Sequence, residues 1–345
     1  MKTKVGIIGA TGYAGVELLR LLLSHPQVEV AAISSVSFEG QPISQIYPSL
    51  SHRCDALLAS DQDVIRACDV VFASLPHGHS EPYAEACLTQ GKAFIDLGAD
   101  FRLYNEADYT AWYGLSYQNP ALHKQAVYAL PELYREKIKK ARLLGNPGCY
   151  PTSIALGLAP VLCSHLIDPN TLVLDSKSGV TGAGRGLSQN THYPDCNEAF
   201  APYKIANHRH TPEIEQTISD LSGQAVKVTF VPHLLPVNRG IVSTMYAQLT
   251  QDRSLDEIHQ AYLSFYQNEP FVRVRPLGEI VNLKHVKYAN YCDISLHLDP
   301  RTHRLIVVSA IDNMVKGAAG QAIQNMNLLC GFEETEGLTM VPPAF

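Results

Sequence analysis

The sequence predicts an α/β chain in two parts: a doubly wound, nucleotide-binding domain, and an α+β domain with a mixed or antiparallel sheet. Three observations carry this. A short apolar strand pattern over Lys4–Ile8 runs at once into Gly9-Ala-Thr-Gly12-Tyr-Ala-Gly15 and then an apolar-periodic helix to about Ser24. Through the strand that leads into Cys149, short apolar runs alternate with helical patterns, as buried parallel strands and their crossover helices do. Beyond about residue 165 the strand patterns alternate in polarity, as half-exposed antiparallel strands do. The first part therefore reads as a Rossmann-type domain.

Composition agrees. A chain of 345 residues suggests two domains, and 46% hydrophobic residues suffice for two cores. A net charge of −6 offers no basic face for nucleic acid. No apolar stretch reaches the length of a membrane span. The eight cysteines are scattered without CxxC pairs, which predicts reduced thiols and neither a disulfide frame nor a metal site. The chain enters its first strand without a secretory signal, so a cytoplasmic protein is expected. The expected division is 1–148 plus 313–345 for the nucleotide-binding domain and 149–312 for the second.

In the first turn, Gly9 allows the tight bend, Gly12 lets the backbone approach a pyrophosphate, and Gly15 lets helix and strand pack closely. The helix N-terminus then faces the phosphates. Thr11, Tyr13 and Ala14 complete the expected cofactor loop. The next strand, Val28–Ile33, ends in Ser34-Ser35. NAD-specific folds carry an acidic residue here for the ribose 2′-hydroxyl. Serines suit a 2′-phosphate, which a carboxylate would repel, so the expected cofactor is NADP(H). After the strand Asp69–Leu75, Pro76 and His77 open a loop at a strand's C-terminal edge, where ligands bind in such sheets. His77 and His79 are either ligands or part of the cofactor wall. Arg102, after the strand Phe94–Leu97, either clamps an anion with its planar fork or lies on the surface. Tyr104–Leu130 reads as loops and short helices along one edge. A charged helix covers Arg135–Ala141.

Gly145-Asn-Pro-Gly-Cys149-Tyr-Pro-Thr-Ser153 reads as strand, sharp turn, then a cysteine at a helix N-terminus. That position favours a thiolate, the nucleophilic form; the alternative is a buried structural cysteine. Leu172–Asp175 reads as a strand, followed by a glycine-rich, basic loop carrying Arg185 that either wraps an anion or is a flexible linker. Residues 186–206, with Lys204, read as irregular. A helix follows Asn207-His208-Arg209-His210, with Thr211 as its N-cap and Pro212 at the first position. Val226–Val231, Gly240–Leu249, Tyr291–Leu298 and Leu305–Ile311 read as strands, and Leu255–Tyr266 as an amphipathic helix. A last helix, Val315–Leu329, is expected to return to the first domain. A cysteine nucleophile with a nicotinamide cofactor implies acyl or aldehyde chemistry through a thioester. A histidine would serve as acid–base, and 77, 79, 192, 208, 210 and 233 are all candidates. His208 and His210 lack a companion set for a metal.

With these residues in hand, the chain resembles the N-acetyl-γ-glutamyl-phosphate reductases along nearly its whole length. GATGYAG, LPHG, DLGADFRL, YALPEL, GNPGCYPT, SGVTGAGR, HRHTPEI, PHLLPVNRG and VKGAAGQAIQN carry the resemblance. GNPGCYPT and HRHTPEI are the specific stretches. The resemblance implies NADPH-dependent reduction of a small acyl phosphate to a semialdehyde, with release of phosphate, in arginine biosynthesis. It implies Cys149 as nucleophile and His210 as acid–base. It implies Arg102 as a phosphate contact, Arg185, Lys204 and Arg209 as anion-binding residues, and Asn313 beside the nicotinamide amide. It also implies a homo-oligomer, dimer or tetramer. Compared with the related aspartate-semialdehyde dehydrogenases, the chain has Gly148 where they have Asn. Lys177-Ser178-Gly179-Val180 stands in place of their glutamine loop, and Asn238-Arg239-Gly240 lacks their Gly-His. The competing readings are the same chemistry on N-acetyl-aminoadipyl or aspartyl phosphate, and a nucleotide-sensing binding protein without catalysis.

Overall fold

The computed structural model describes residues 2–344. The chain divides into two units: Met1–Pro147 with Ala318–Thr339, and Gly148–Gly317 with Met340–Phe345. The return crossing lies at 317/318 rather than at the expected 313. Asn313 belongs with the second unit because its amide is held there: Oδ1 accepts from Gly240 N at 2.7 Å and Nδ2 donates to Thr181 Oγ1 at 3.0 Å.

The first unit is built on strands β1 (Thr3–Ile8), β2 (Val28–Ile33), β3 (Val70–Ala73), β4 (Ala93–Asp96), β5 (Val127–Tyr128) and β6 (Leu143–Gly145). They form one sheet in the order β2-β1-β3-β4-β6-β5, and every pair is parallel. β3 and β4 are buried at every position, which is why they read as unbroken apolar runs rather than alternating ones. Tyr104–Leu130 supplies two short helices and then the edge strand β5. Helix Gly320–Cys330 belongs to this unit and is buried from Gly320 to Leu328. Its Asn325 Nδ2 donates to Ala129 O at 2.8 Å and Asn146 Oδ1 at 3.0 Å, tying it to the C-terminal end of the sheet.

The second unit holds β7 (Ile167–Gly179), β8 (Ala201–Pro202), β9 (Thr229–Leu235), β10 (Ile241–Leu249), β11 (Val272–Val274), β12 (Cys292–Asp299) and β13 (Arg304–Ile311). Their order is β11-β12-β13-β10-β7-β9-β8. The sheet is mixed: β11/β12 and β7/β9 are parallel, and the other neighbours antiparallel. In β10, Ile241, Ser243, Met245 and Ala247 are buried while the residues between them are half-exposed. The buried face meets helix Cys149–Cys163, with helices Thr211–Ser222 and Leu255–Phe265 beside it.

Helix Cys149–Cys163 is buried at every position from Tyr150 to Leu162 and contains Pro160. A proline there has no N–H for the carbonyl four residues back. That carbonyl, Leu156 O, accepts the Tyr266 hydroxyl instead, and Gly157 O accepts Tyr262 Oη at 2.6 Å.

The charged helix read at Arg135–Ala141 spans Pro131–Ile138 instead, and two differences lie closer to the site. His210, not Thr211, is the N-cap of helix Thr211–Ser222, so Pro212 takes the second helical position, where its missing N–H is equally harmless. The expected continuous helix Val315–Leu329 is a π-helical turn, Val315–Ala319, followed by the α-helix Gly320–Cys330.

Candidate functional site

In the first unit, the glycine turn behaves as its spacing requires. Gly9 has φ +83°, and a Cβ there would lie 2.4 Å from Ser74 O. A Cβ on Gly15 would lie 2.3 Å from Gly9 O, so only glycine lets the helix Tyr13–Leu22 start this close to β1. Gly12 is the helix N-cap, and a Cβ there would meet nothing nearer than 3.6 Å. Its freedom leaves the approach to the first-turn amides open, which suits a pyrophosphate. Tyr47 Oη donates to Thr11 O at 2.8 Å and closes one side of the turn. Tyr13 is partly exposed.

Ser34 and Ser35 are buried at the end of β2. Ser35 Oγ lies 2.7 Å from Thr11 Oγ1, linking the two expected cofactor-binding stretches. Ser34 Oγ donates to Asp61 Oδ1 at 2.5 Å, and Tyr83 Oη donates to Asp61 Oδ2 at 2.8 Å. An acidic side chain therefore stands near this strand end after all, contributed from a distant part of the chain, with each oxygen taken by a hydroxyl.

The Pro76–Ser80 loop hangs on two buried carboxylates. Asp100 Oδ1 accepts from Gly78 N at 2.7 Å and Tyr109 Oη at 2.8 Å, and Asp100 Oδ2 from Ser80 N at 2.9 Å. Asp96 Oδ1 accepts from Ser80 Oγ at 2.7 Å and Gly98 N at 2.9 Å. Burial first, and Asp100 second, push the Asp96 carboxyl up. His77 is half-buried, edge-on to Tyr113 at 5.1 Å between ring centroids, while His79 is exposed. Arg102 is buried: Nε donates to Asn146 O at 2.7 Å and Nη2 to Leu97 O at 2.8 Å. Its guanidinium thus bridges the ends of neighbouring strands β4 and β6.

In the second unit, Cys149 is the first residue of helix Cys149–Cys163 and is half-buried. It lines a cavity of about 600 Å³ together with Ser178, Tyr203, Lys204, Arg209 and His210. Sequence-distant candidates thus converge here, while the exposed Arg185 does not line the cavity. His192 is exposed; His233 lies 3.1 Å from Asp175 across β7 and β9.

Several bonds fix the cysteine's helix. Gly148 N donates to Glu213 Oε1 at 2.8 Å, and Glu213 is 1% exposed. Thr152 Oγ1 donates back to Gly148 O at 2.9 Å. Ser153 Oγ lies 3.0 Å from Ser243 Oγ and 2.7 Å from Ser309 Oγ, and Ser176 Oγ donates to Ser243 Oγ at 2.8 Å. These fully buried hydroxyls peg the first turns of the helix to β7, β10 and β13. Glu213 is a site residue that sequence reasoning missed. The signal was an acidic residue in the first turn of the HRHTPEI helix, but its partner lies 65 residues away.

His210 sits at the N-cap of helix Thr211–Ser222, its ring centroid 5.0 Å from His208 and 6.0 Å from Tyr150. His208 Nδ1 accepts the His210 main-chain N–H at 3.1 Å. The neutral ring therefore carries its proton on Nε2, which points to Tyr203 Oη at 3.4 Å. Burial first, then Lys204 and Arg209, lower its pKa to about 4. Of the two histidines, His208 is thus the neutral support. Lys204 stands at φ +45°, and its pKa is lowered by partial desolvation first and the Arg209 charge second. A thiol, an imidazole and two cations around one cavity can attack an acyl carbon, move a proton and hold an anionic leaving group. Among the described residues no cluster of three or more metal-ligating side chains occurs, and no helix is long and apolar enough to cross a membrane.

Residues 4–141 match the model of the semialdehyde dehydrogenase NAD-binding domain, and residues 149–313 that of the semialdehyde dehydrogenase dimerisation domain. The chain is 59% identical over 350 aligned positions to N-acetyl-gamma-glutamyl-phosphate reductase of Brachyspira hyodysenteriae, with 99% of each chain covered. It is 57% identical over 342 positions to the reductase of that name from Clostridium botulinum, again with 99% of each covered. Among solved structures, aspartate semialdehyde dehydrogenase II of Vibrio cholerae, in complex with ASA, superposes with a TM-score of 0.73 at 14% identity, over 96% of this chain and 99% of that one. Aspartate semialdehyde dehydrogenase of Candida albicans, with NADP, superposes with a TM-score of 0.71 at 16% identity, over 96% and 99%. At those identities the likeness shows a shared fold. The chain belongs to the N-acetyl-gamma-glutamyl-phosphate reductase family.

Proposed function

We propose that the chain reduces N-acetyl-L-glutamyl 5-phosphate to N-acetyl-L-glutamate 5-semialdehyde with NADPH, releasing phosphate, through a thioester on Cys149. The observation that carries this is the convergence of Cys149, His210, Lys204 and Arg209 on one cavity, in a chain 59% identical to a reductase of that name. Bound NADPH supplies the hydride. The Gly9–Gly15 turn would hold its pyrophosphate. Of the two serines, Ser35 is the better placed for the 2′-phosphate, since the Ser34 proton is committed to Asp61.

Cys149 Sγ gives up its proton to His210 and forms a bond to the acyl carbon. The acyl C–O bond breaks, and phosphate leaves with the electron pair. Lys204 and Arg209 hold the anionic ends of the substrate, and Glu213 keeps the turn before Cys149 in place. After reduction the C–S bond breaks and His210 returns the proton to sulfur. Arg102 acts by holding strand ends together, and Asn313 by joining the 181 and 240 loops. The same reading carries a cytoplasmic homo-oligomer, a dimer or tetramer, with the half-exposed face of the second unit's sheet between copies.

The test is a steady-state assay in the reverse direction with N-acetylglutamate semialdehyde, phosphate and NADP. Turnover that requires phosphate and disappears in Cys149→Ser is expected. Preference for aspartate semialdehyde, or activity surviving Cys149→Ser, would overturn the reading.

A further inference from the structure

The π-helical turn Val315–Ala319 has no role in the chemistry above. Its Gly317 N–H donates to Asp312 O at 3.0 Å, the five-residue spacing of a π turn. The turn is braced at its start. Asp312, fully buried, accepts from Met314 N at 2.7 Å and Val315 N at 3.1 Å on Oδ1, and from Tyr288 N at 2.6 Å on Oδ2. Asn313 is fixed between Gly240 and Thr181 as described. The turn presents Gly317 to the cysteine. A Cβ on Gly317 would lie 2.7 Å from Cys149 Cβ, 3.2 Å from Cys149 Cα and 3.3 Å from Ile311 Cδ1. Cys149 Cβ cannot swing aside as the tip of a long side chain would, because it is bonded to the backbone of a helix pegged through Glu213, Ser243 and Ser309.

We infer that Gly317 is a positioning residue: the π turn brings a bare backbone against Cys149 and so sets where the sulfur points in the cavity. Both sides of the contact are hydrogen-bonded into the fold, so a methyl group at 317 displaces the first atoms of the cysteine rather than being absorbed elsewhere. An α-helical register through 315–319 would place a different residue opposite Cys149. This explains a glycine in a π turn at this point of the chain, and it rests on Cys149 being the nucleophile.

The test uses Gly317→Ala in the full-length protein. Expected are KM values within about twofold of wild type and kcat lowered at least about tenfold. The pH profile of Cys149 alkylation by iodoacetamide, followed by peptide mass spectrometry, should also shift. A folded Gly317→Ala with wild-type kcat and alkylation profile would overturn the inference. A double-mutant cycle with Cys149→Gly covers the case in which Gly317→Ala folds poorly. Removing Cys149 Cβ should restore the melting temperature that Gly317→Ala loses, and equal losses in both backgrounds would also overturn it. If wild type alkylates normally but does not turn over the acyl phosphate, the proposed function fails, while the cycle and the alkylation profile still decide the role of Gly317.

Discussion

Glu213 tests how Cys149 is held. Its carboxylate is 1% exposed and accepts the Gly148 N–H at 2.8 Å, at the N-cap of the helix that begins with Cys149. A hydrogen bond to a charged group is worth about 1.5–3 kcal/mol. The carboxylate also lies in the first turn of its own helix, where the dipole adds about 0.3–1 kcal/mol. Glu213→Ala removes both and leaves a buried N–H unpaired, so unfolding free energy should fall by roughly 2–4 kcal/mol. Glu213→Gln keeps an acceptor but loses the charge, which about halves the bond, so its cost should be roughly 1–2 kcal/mol. Urea denaturation at pH 7 reads both, and iodoacetamide labelling of Cys149 should slow in the same order. If Glu213→Ala unfolds at the wild-type urea concentration, or Gln costs as much as Ala, the carboxylate is not the support described.

Two further outcomes are expected. His208 is held neutral, with a folded pKa of about 4 against 6.5 unfolded, so the folded state binds fewer protons between those values. Its contribution is complete above about pH 6.5 and is lost as pH falls toward 4, a change of about 3 kcal/mol. His208→Gln should flatten that part of the stability–pH curve, as measured by denaturation at pH 4.5 and 7.5; an unchanged slope would contradict the assignment. Gly15→Ala places a methyl carbon 2.3 Å from Gly9 O. Overpacking costs of about 1–3 kcal/mol are partly offset by about 1 kcal/mol of helix propensity. The sharper readout is the NADPH dissociation constant in a fluorescence titration, which should rise at least about tenfold; wild-type affinity would remove the turn from the cofactor site.

The first unit was legible because its central strands β3 and β4 are buried at every position and its glycine turn has little structural latitude. β2 runs over the residues the apolar pattern marks. The second unit was less so. β7 runs thirteen residues, Ile167–Gly179, where only Leu172–Asp175 reads as strand. Asp168, Asn170, Ser176, Lys177 and Ser178 hide the rest, and Ser176 is buried only because it bonds Ser243 on the next strand. A local signal marked Cys149 and the family resemblance marked His210, but the contacts around Cys149, Glu213 on Gly148 and Gly317 on Cys149 itself, arise from tertiary structure. Asp61 beside Ser34 is of the same kind: the end of β2 carries no acid, yet the fold delivers one there. The π turn was illegible because shifting a hydrogen bond from four residues to five changes neither hydrophobic period nor composition enough to see.

The tyrosine hydroxyls on Leu156 O and Gly157 O do more than complete a ladder interrupted by Pro160. A helix whose carbonyls are all paired to its own amides can be screwed along its axis with every internal bond intact. Here two rungs are anchored to side chains of another segment, so such a shift would break both. The altitude of the sulfur above the sheet is therefore partly dictated from the middle of its helix, by tyrosines that do not line the cavity.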